Sequence, residues 1–264
     1  MRTTDRALAI DAAAIAAISA GICLASHRPV VMAALVLTVI GARFVAWRRL
    51  PAAQRGHGLG AELAWFGTGL VLGAANDWNS VTRHRIYDYT VPVEWPALSL
   101  VPIWMLLAWG MIVRLAVGVV TWQRLALPAP RALSPWLALP LLLGLVVATR
   151  QAIYRTYADP LWSWLPFALA LALAIAILRP DRRRLALLAG VAAVGPAVEV
   201  LYIQVGRLHA YPLGWLGGVP LWIVLWWVLA VLVLEQLVAR VPARVARGVA
   251  SRREDGPRGR SLQP

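Results

Sequence analysis

Gly73-Ala74-Ala75-Asn76-Asp77, followed by Arg85-Ile86-Tyr87-Asp88-Tyr89, returns 122 positions later as Gly195-Pro196-Ala197-Val198-Glu199 and Arg207-Leu208-His209-Ala210-Tyr211. After a connection four residues longer in the first copy, Val101-Pro102-Ile103-Trp104 meets Val219-Pro220-Leu221-Trp222, and Trp109 then coincides with Trp227. The shared pattern is G-x-A-x-[DE], then R-[IL]-[YH]-x-Y, then V-P-[IL]-W-x4-W. Agreement at this many polar and aromatic positions marks an internal duplication.

What surrounds the two copies decides where they sit. Hydrophobic residues make up 60% of the 264 and charged residues 14%, against about 45–50% and about 25% in soluble domains. A soluble chain has too little polar surface to cover such an inventory, so lipid is the implied solvent. A helix needs roughly 20 mostly apolar residues to cross the hydrocarbon. Eight windows qualify: 7–25, 29–47, 58–76, 97–121, 133–150, 160–178, 185–206 and 215–239. Prolines and glycines punctuate the joins, Pro128 and Pro130 among them, and Pro102, Pro140, Pro166, Pro196 and Pro220 are expected to kink helices. The opening run from Met1-Arg2 resembles a signal peptide, but Asp11 interrupts it and a polytopic body follows, so it reads as a retained first span. The fold class is therefore all-α, a polytopic transmembrane bundle of about eight spans built as two parallel four-helix repeats. The repeats are placed at 1–125 and 126–239, with a basic tail at 240–264 that is expected to be disordered beyond its first turn or two.

All 26 basic residues are arginine, and the net charge is +14. The arginines cluster between apolar runs without any zinc-finger, RRM-like or basic-zipper pattern, which excludes nucleic acid as the partner. They set orientation instead. With the N-terminus inside, inner segments carry 18 arginines, Arg131 among them, and outer segments 6, which places both ends in the cytoplasm and the chain in a bacterial inner membrane. Of 14 tryptophans, Trp78, Trp95, Trp162, Trp164 and Trp215 fall near one interface and Trp47, Trp122 and Trp136 near the other. Trp104, Trp109, Trp222, Trp226 and Trp227 lie deeper and ask for another role.

Asp77 and Glu199 sit on the third and seventh windows, which run the same way. The copies are then related by a pseudo-twofold axis along the membrane normal. Acids at membrane depth cost at least ~2.5–3.5 kcal/mol, so they face the bundle interior and find partners. Two readings follow: a salt-bridged seam in which each acid meets an arginine, or a lined cavity. A second ionisable set, Asp11, Arg43, Glu62, Arg114 and Glu235, lies near the inner ends of its spans and reads as structural pairs. The lone Cys23 makes no internal disulfide, His27, His57 and His84 have no ligand spacing, and no phosphate loop, zinc-protease motif or nucleophile elbow occurs. No metal and no cofactor is expected.

Glu199, Tyr211, Gly218, Val219 and Pro220, followed by a tryptophan-rich helix, resemble modules of uncharacterised bacterial polytopic membrane families. They are also distantly similar to the membrane carotenoid hydratases and small lycopene cyclases. Those hydratases carry a Phe-Gly stretch before the tyrosines, where this chain has Val205-Gly206-Arg207-Leu208. The resemblance implies an intramembrane enzyme acting on an isoprenoid or other apolar lipid. Protonating an alkene needs a neutral carboxylic acid in an apolar pocket, with electron-rich rings near the cation that forms. Asp77 and Glu199 are the candidate catalytic acids. Tyr87, Tyr89, His209, Tyr211, Trp104 and Trp222 are the candidate lining, with Arg85 and Arg207 tuning the acids or holding an anionic headgroup. Two arginines beside two acids argue against a neutral carboxyl. The alternatives are a carrier for a small or lipidic solute and a non-catalytic assembly subunit. Mass spectrometry of lipids retained by the purified protein is expected to show a specific apolar lipid lost in the Asp77→Asn/Glu199→Gln double variant. Identical spectra from the two proteins would leave only the seam.

Overall fold

A computed structural model of the chain describes residues 2–125, 127 and 135–254, the side chains of 135–136 and 240–254 excepted. Pro128, Pro130, Arg131, the side chain of Trp136 and the tail beyond 254 thus lie outside the described residues. The eight apolar windows become α1 (Asp5–Leu24), α2 (Pro29–Arg49), α4 (Leu59–Trp78), α5 (Ile103–Val120), α6 (Pro135–Thr156), α7 (Leu165–Leu178), α8 (Arg182–Val200) and α9 (Leu221–Glu254). A single turn, α3 (Ala52–Arg55), joins α2 to α4. Helices are what hydrocarbon permits, because each backbone amide finds its partner inside its own segment. Large apolar side chains point outward along them, such as Val71, Leu72, Leu169 and Val194. In water these would be a liability; in lipid they are the solvated face.

Seven of the helices are long and apolar enough to cross a membrane. The exception is α7, whose 14 residues span only about 21 Å at 1.5 Å per residue. Its window began at 160, but Asp159 Oδ1 accepts from the backbone N–H of Leu161 at 2.8 Å and of Trp162 at 2.7 Å. That Asx turn holds the chain off a helical path until Pro166 fixes the first helical turn. The prolines also differ from expectation. Pro140 and Pro196 lie inside helices, whereas Pro102 caps α5, Pro166 starts α7 and Pro220 immediately precedes α9. At a helix start the missing N–H costs nothing, so those three positions begin helices and do not kink them. At the other end of the chain α9 runs on to Glu254 and does not stop a turn or two past Arg240.

The duplication is visible in the backbone. Both α4 and α8 end in a π-helical turn, at Asn79–Arg83 and Leu201–Val205. Arg85 and Arg207 then adopt left-handed conformations with φ of 50° and 48°. Two short strands follow, β1 (Asp88–Tyr89) and β2 (His209–Ala210), paired antiparallel with Asp88 opposite Ala210 and Tyr89 opposite His209. Asp88 and Ala210 are repeat equivalents, so the pseudo-twofold axis passes between them. The Trp109 and Trp227 rings, also equivalents, stack across the same axis with centroids 6.2 Å apart. The halves therefore run in one common direction through the bundle.

Close helix contact comes from small residues, as expected in lipid. A Cβ at Gly69 would lie 2.6 Å from Val113, one at Gly73 2.5 Å from Trp109 and one at Gly110 2.6 Å from Phe66. These three positions bring α4 and α5 together.

At the end away from the strands, Asp11, Arg43, Glu62 and Arg114 are all buried. Arg43 Nε donates to Asp11 Oδ1 at 2.7 Å, and Arg114 Nε donates to Glu62 Oε1 at 2.8 Å. Arg43 also pairs with Glu62, His57 sits against Glu62, and Arg114 Nη1 lies 3.4 Å from Asp11 Oδ2. Two acids and two arginines from four helices thus form one neutral ring. Glu235 pairs with Arg184 at 2.6 Å. Arg184 stands where the repeat offset places Glu62, and its partner Glu235 lies three residues beyond Leu232, the counterpart of Arg114. Removing one member of a buried ion cluster strands the others, typically at ~3–5 kcal/mol. Arg114→Met is accordingly expected to lower stability by about 3–5 kcal/mol. Thermal unfolding in detergent measures this, and a loss under ~1 kcal/mol would mean that the ring is not holding these helices.

Candidate functional site

The π-helical turns create the site. Each offsets the ladder by one residue, with His84 N–H donating to Asn79 C=O and Gly206 N–H to Leu201 C=O, both at 3.1 Å. Ile86 N–H then reaches Ser80 C=O, and Leu208 N–H reaches Tyr202 C=O, both at 3.0 Å. The turn throws Arg85 and Arg207 outward and drives Ile86 and Leu208 into the interior, where they are about 1% exposed or less. Tyr87, Tyr89, His209 and Tyr211 follow on the inner side. Their rings pack around the axis, Tyr87 against Tyr211 at 5.0 Å and His209 against Tyr211 at 5.3 Å.

Asp77 is buried at the end of α4. Its Oδ2 accepts from Tyr89 Oη at 2.9 Å and Trp109 Nε1 at 3.1 Å, and Tyr87 Oη donates to Oδ1. Three donors converge on one carboxylate, the arrangement that suits an acceptor. Glu199 is the symmetry mate but is treated differently. Its Oε2 lies 2.9 Å from His209 Nε2, and Trp227 Nε1, the counterpart of Trp109 Nε1, has no partner among the described residues. The substitution of His209 for the tyrosine of the first copy breaks the symmetry and leaves Glu199 open. In the connecting segments, burial pushes the Tyr89 and Tyr211 phenols well above their ordinary pKa, reinforced by the nearby acids. Both phenols stay protonated, and that of Tyr89 donates to Asp77.

Beside this cluster lies a cavity of about 440 Å³. Along α5 its wall runs from Trp104 to Val120, about 24 Å at 1.5 Å per residue. At the strand end it meets Tyr87, Tyr89, Glu199, His209, Tyr211 and Arg150; along the remaining length it meets side chains such as Ile112, Leu115 and Val119 of α5 and Leu187, Val191 and Val194 of α8. Val194 lines the slot and yet is 64% exposed. It sits midway along its span, so the slot opens sideways at the depth of the hydrocarbon.

Of the residues singled out by sequence, Glu199, Tyr87, Tyr89, His209, Tyr211, Trp104 and Trp222 all line the slot. Asp77 stands behind Tyr87, Tyr89 and Trp109 and is not part of the wall. Arg85 and Arg207 are exposed, line no part of the cavity and pair with neither acid, because the left-handed turn directs them away. Of the two readings, the acid–arginine seam is absent at this end among the described residues: Asp77 meets two phenols and an indole, and Glu199 meets His209.

Sequence reading missed Arg150, which lines the slot from α6. Its position before Gln151 and Tyr154 at a span's end reads as topogenic charge. The available signal was its place at the last position of an apolar window, flanked by Thr149.

The fold and the slot define a class, polytopic membrane helix bundles with an internal, laterally open cavity. No protein-family model and no curated protein matches the chain. Among solved structures it is similar to MvINS, a mycobacterial Insig homologue from Mycobacterium vanbaalenii. With a cross-linked trimer of an MvINS variant the TM-score is 0.53 at 27% identity, covering 69% of this chain and 96% of that one. A second MvINS structure aligns over the same shares at a TM-score of 0.47. The likeness supports a bacterial polytopic membrane protein; the finer resemblance to carotenoid hydratases and lycopene cyclases finds no support in these comparisons.

The different surroundings of the two acids make a testable distinction. Asp77→Asn turns one acceptor oxygen into a donor facing buried donors, and is expected to cost about 1–3 kcal/mol. Glu199→Gln, which meets one imidazole at the cavity edge, is expected to shift thermal unfolding much less. Equal shifts in the two variants would contradict the assignment of Asp77 to structure and Glu199 to the cavity.

Proposed function

We propose that this protein binds one amphipathic lipid drawn from the surrounding bilayer, its tail along the α5–α8–α9 slot and its head at Glu199, His209 and Arg150. The observation that carries this reading is the lateral mouth: Val194 is at once a wall residue and 64% exposed. A solute arriving from water would have no reason to use an opening at that depth, whereas a lipid tail is already there. The volume, about 440 Å³, lies within the ~300–1,000 Å³ typical of ligand pockets, and a shaft that is polar only at one end matches a headed lipid. With both termini cytoplasmic, as the arginine asymmetry favours, the head lies toward the outer leaflet.

A second reading is favoured by one pair. Glu199 and His209 together supply a proton donor and acceptor inside an apolar slot, facing the rings of Tyr211 and Trp222. Acid–base chemistry on an isoprenoid or other unsaturated lipid would use Glu199 as the acid, with Asp77 orienting Tyr87 and Tyr89. Loss of turnover in Glu199→Gln with lipid binding preserved would establish that chemistry.

Binding itself is tested at the mouth. Val194→Trp places a bulky ring where the slot meets lipid and little else is packed, so stability should hold. Native mass spectrometry is expected to show one lipid per chain on the unmodified protein and a several-fold lower occupancy on Val194→Trp. Unchanged occupancy in a folded variant would refute entry between the helices.

A further inference from the structure

Resting on that lipid-site reading, we infer that the ligand's head carries an oxyanion, a carboxylate or a phosphate, and that Arg150 is the group that receives it. Every other buried arginine described in the chain has a carboxylate: Arg43 and Arg114 share Asp11 and Glu62, and Arg184 holds Asp181 and Glu235. Arg150 is 7% exposed and, among the described residues, forms no ion pair. Its Nη2 donates to Ser80 Oγ, while Nε has no partner. Aromatic faces supply what compensation there is: the guanidinium carbon lies 5.1 Å from the Trp226 ring centroid and 5.2 Å from that of Tyr154.

A guanidinium stays charged at any physiological pH, and a buried charge without a counter-ion is among the costliest groups a membrane helix can hold. The remaining polar atoms on the wall do not cure this. Trp104 Nε1 and Trp227 Nε1 are buried donors that also lack partners. The one wall carboxylate, Glu199, engages His209. The slot therefore ends in unsatisfied donors and one unneutralised cation, which is the complement of an anionic head with several acceptor oxygens. A neutral alcohol or ester would leave the charge uncompensated.

The test separates head charge from tail fit. cis-Parinaric acid and its methyl ester share one fluorescent tail and differ only in the carboxylate. Titrated into the purified full chain in neutral detergent, the acid is expected to bind about tenfold or more tightly than the ester. Arg150→Gln should abolish that preference while leaving the ester's affinity unchanged, and Arg150→Lys should retain part of it. Displacement of the bound acid by oleate and by dodecyl phosphate then tells which oxyanion fits better. Equal binding of acid and ester to the unmodified protein overturns the inference without touching the lipid site, and this comparison needs no variant to fold. Equal loss of both probes in a folded Arg150→Gln protein also overturns it, by making Arg150 a support for the slot. Binding of neither probe overturns the lipid site itself.

Discussion

Backbone that leaves the helix among buried side chains must find its hydrogen bonds within the protein, because its surroundings offer few others. Here two such stretches meet that demand by pairing with each other, Asp88–Tyr89 against His209–Ala210 across the pseudo-twofold axis. Thr90 N–H extends the pairing to Leu208 C=O at 3.0 Å. The rest of the architecture follows from that ladder. It registers one half of the bundle on the other, brings four aromatic rings together around the axis and fixes the polar end of the slot.

The two halves spend their acids in different ways. In the first, Asp77 is enclosed by two phenols and an indole and holds the tyrosines in place. In the second, His209 replaces a tyrosine, Trp227 Nε1 goes unpartnered and Glu199 faces the cavity. One ancestral module thus provides both a structural anchor and a chemically accessible group. The far end repeats the theme, with Glu62 bound to Arg114 in one half and Arg184 bound to Glu235 in the other. Glu62 and Arg184 occupy equivalent positions with opposite charge, and each finds a partner on the last helix of its own half.

The slot is walled by α5 and α9, the last helices of the two halves, together with α8. Close packing of α4 on α5 through Gly69, Gly73 and Gly110 gives the first half a rigid wall. On the facing side, α8 presents Gly190 and Val194 at the opening. A rigid wall and an open flank are what a lipid would need to slide in sideways.

Composition alone demanded lipid as solvent, and the apolar windows placed all eight helices, because hydrophobic periodicity and length act locally along the chain. The duplication, legible at Asp77, Glu199 and the paired aromatics, carried the parallel arrangement and most of the cavity lining, since equivalent sequences adopt equivalent backbones. Local turn chemistry was harder to read: the Asx turn at Asp159 shortened α7, and the π-helical turns reversed the expected direction of Arg85 and Arg207. Arg150 belongs to a helix outside the repeated motif, so nothing in its neighbourhood distinguished it from a topogenic arginine. Whether a charged side chain is paired, buried or aimed into a cavity depends on residues far away in sequence, here Ser80, Trp222 and Trp226, and only the packed bundle brings those to it.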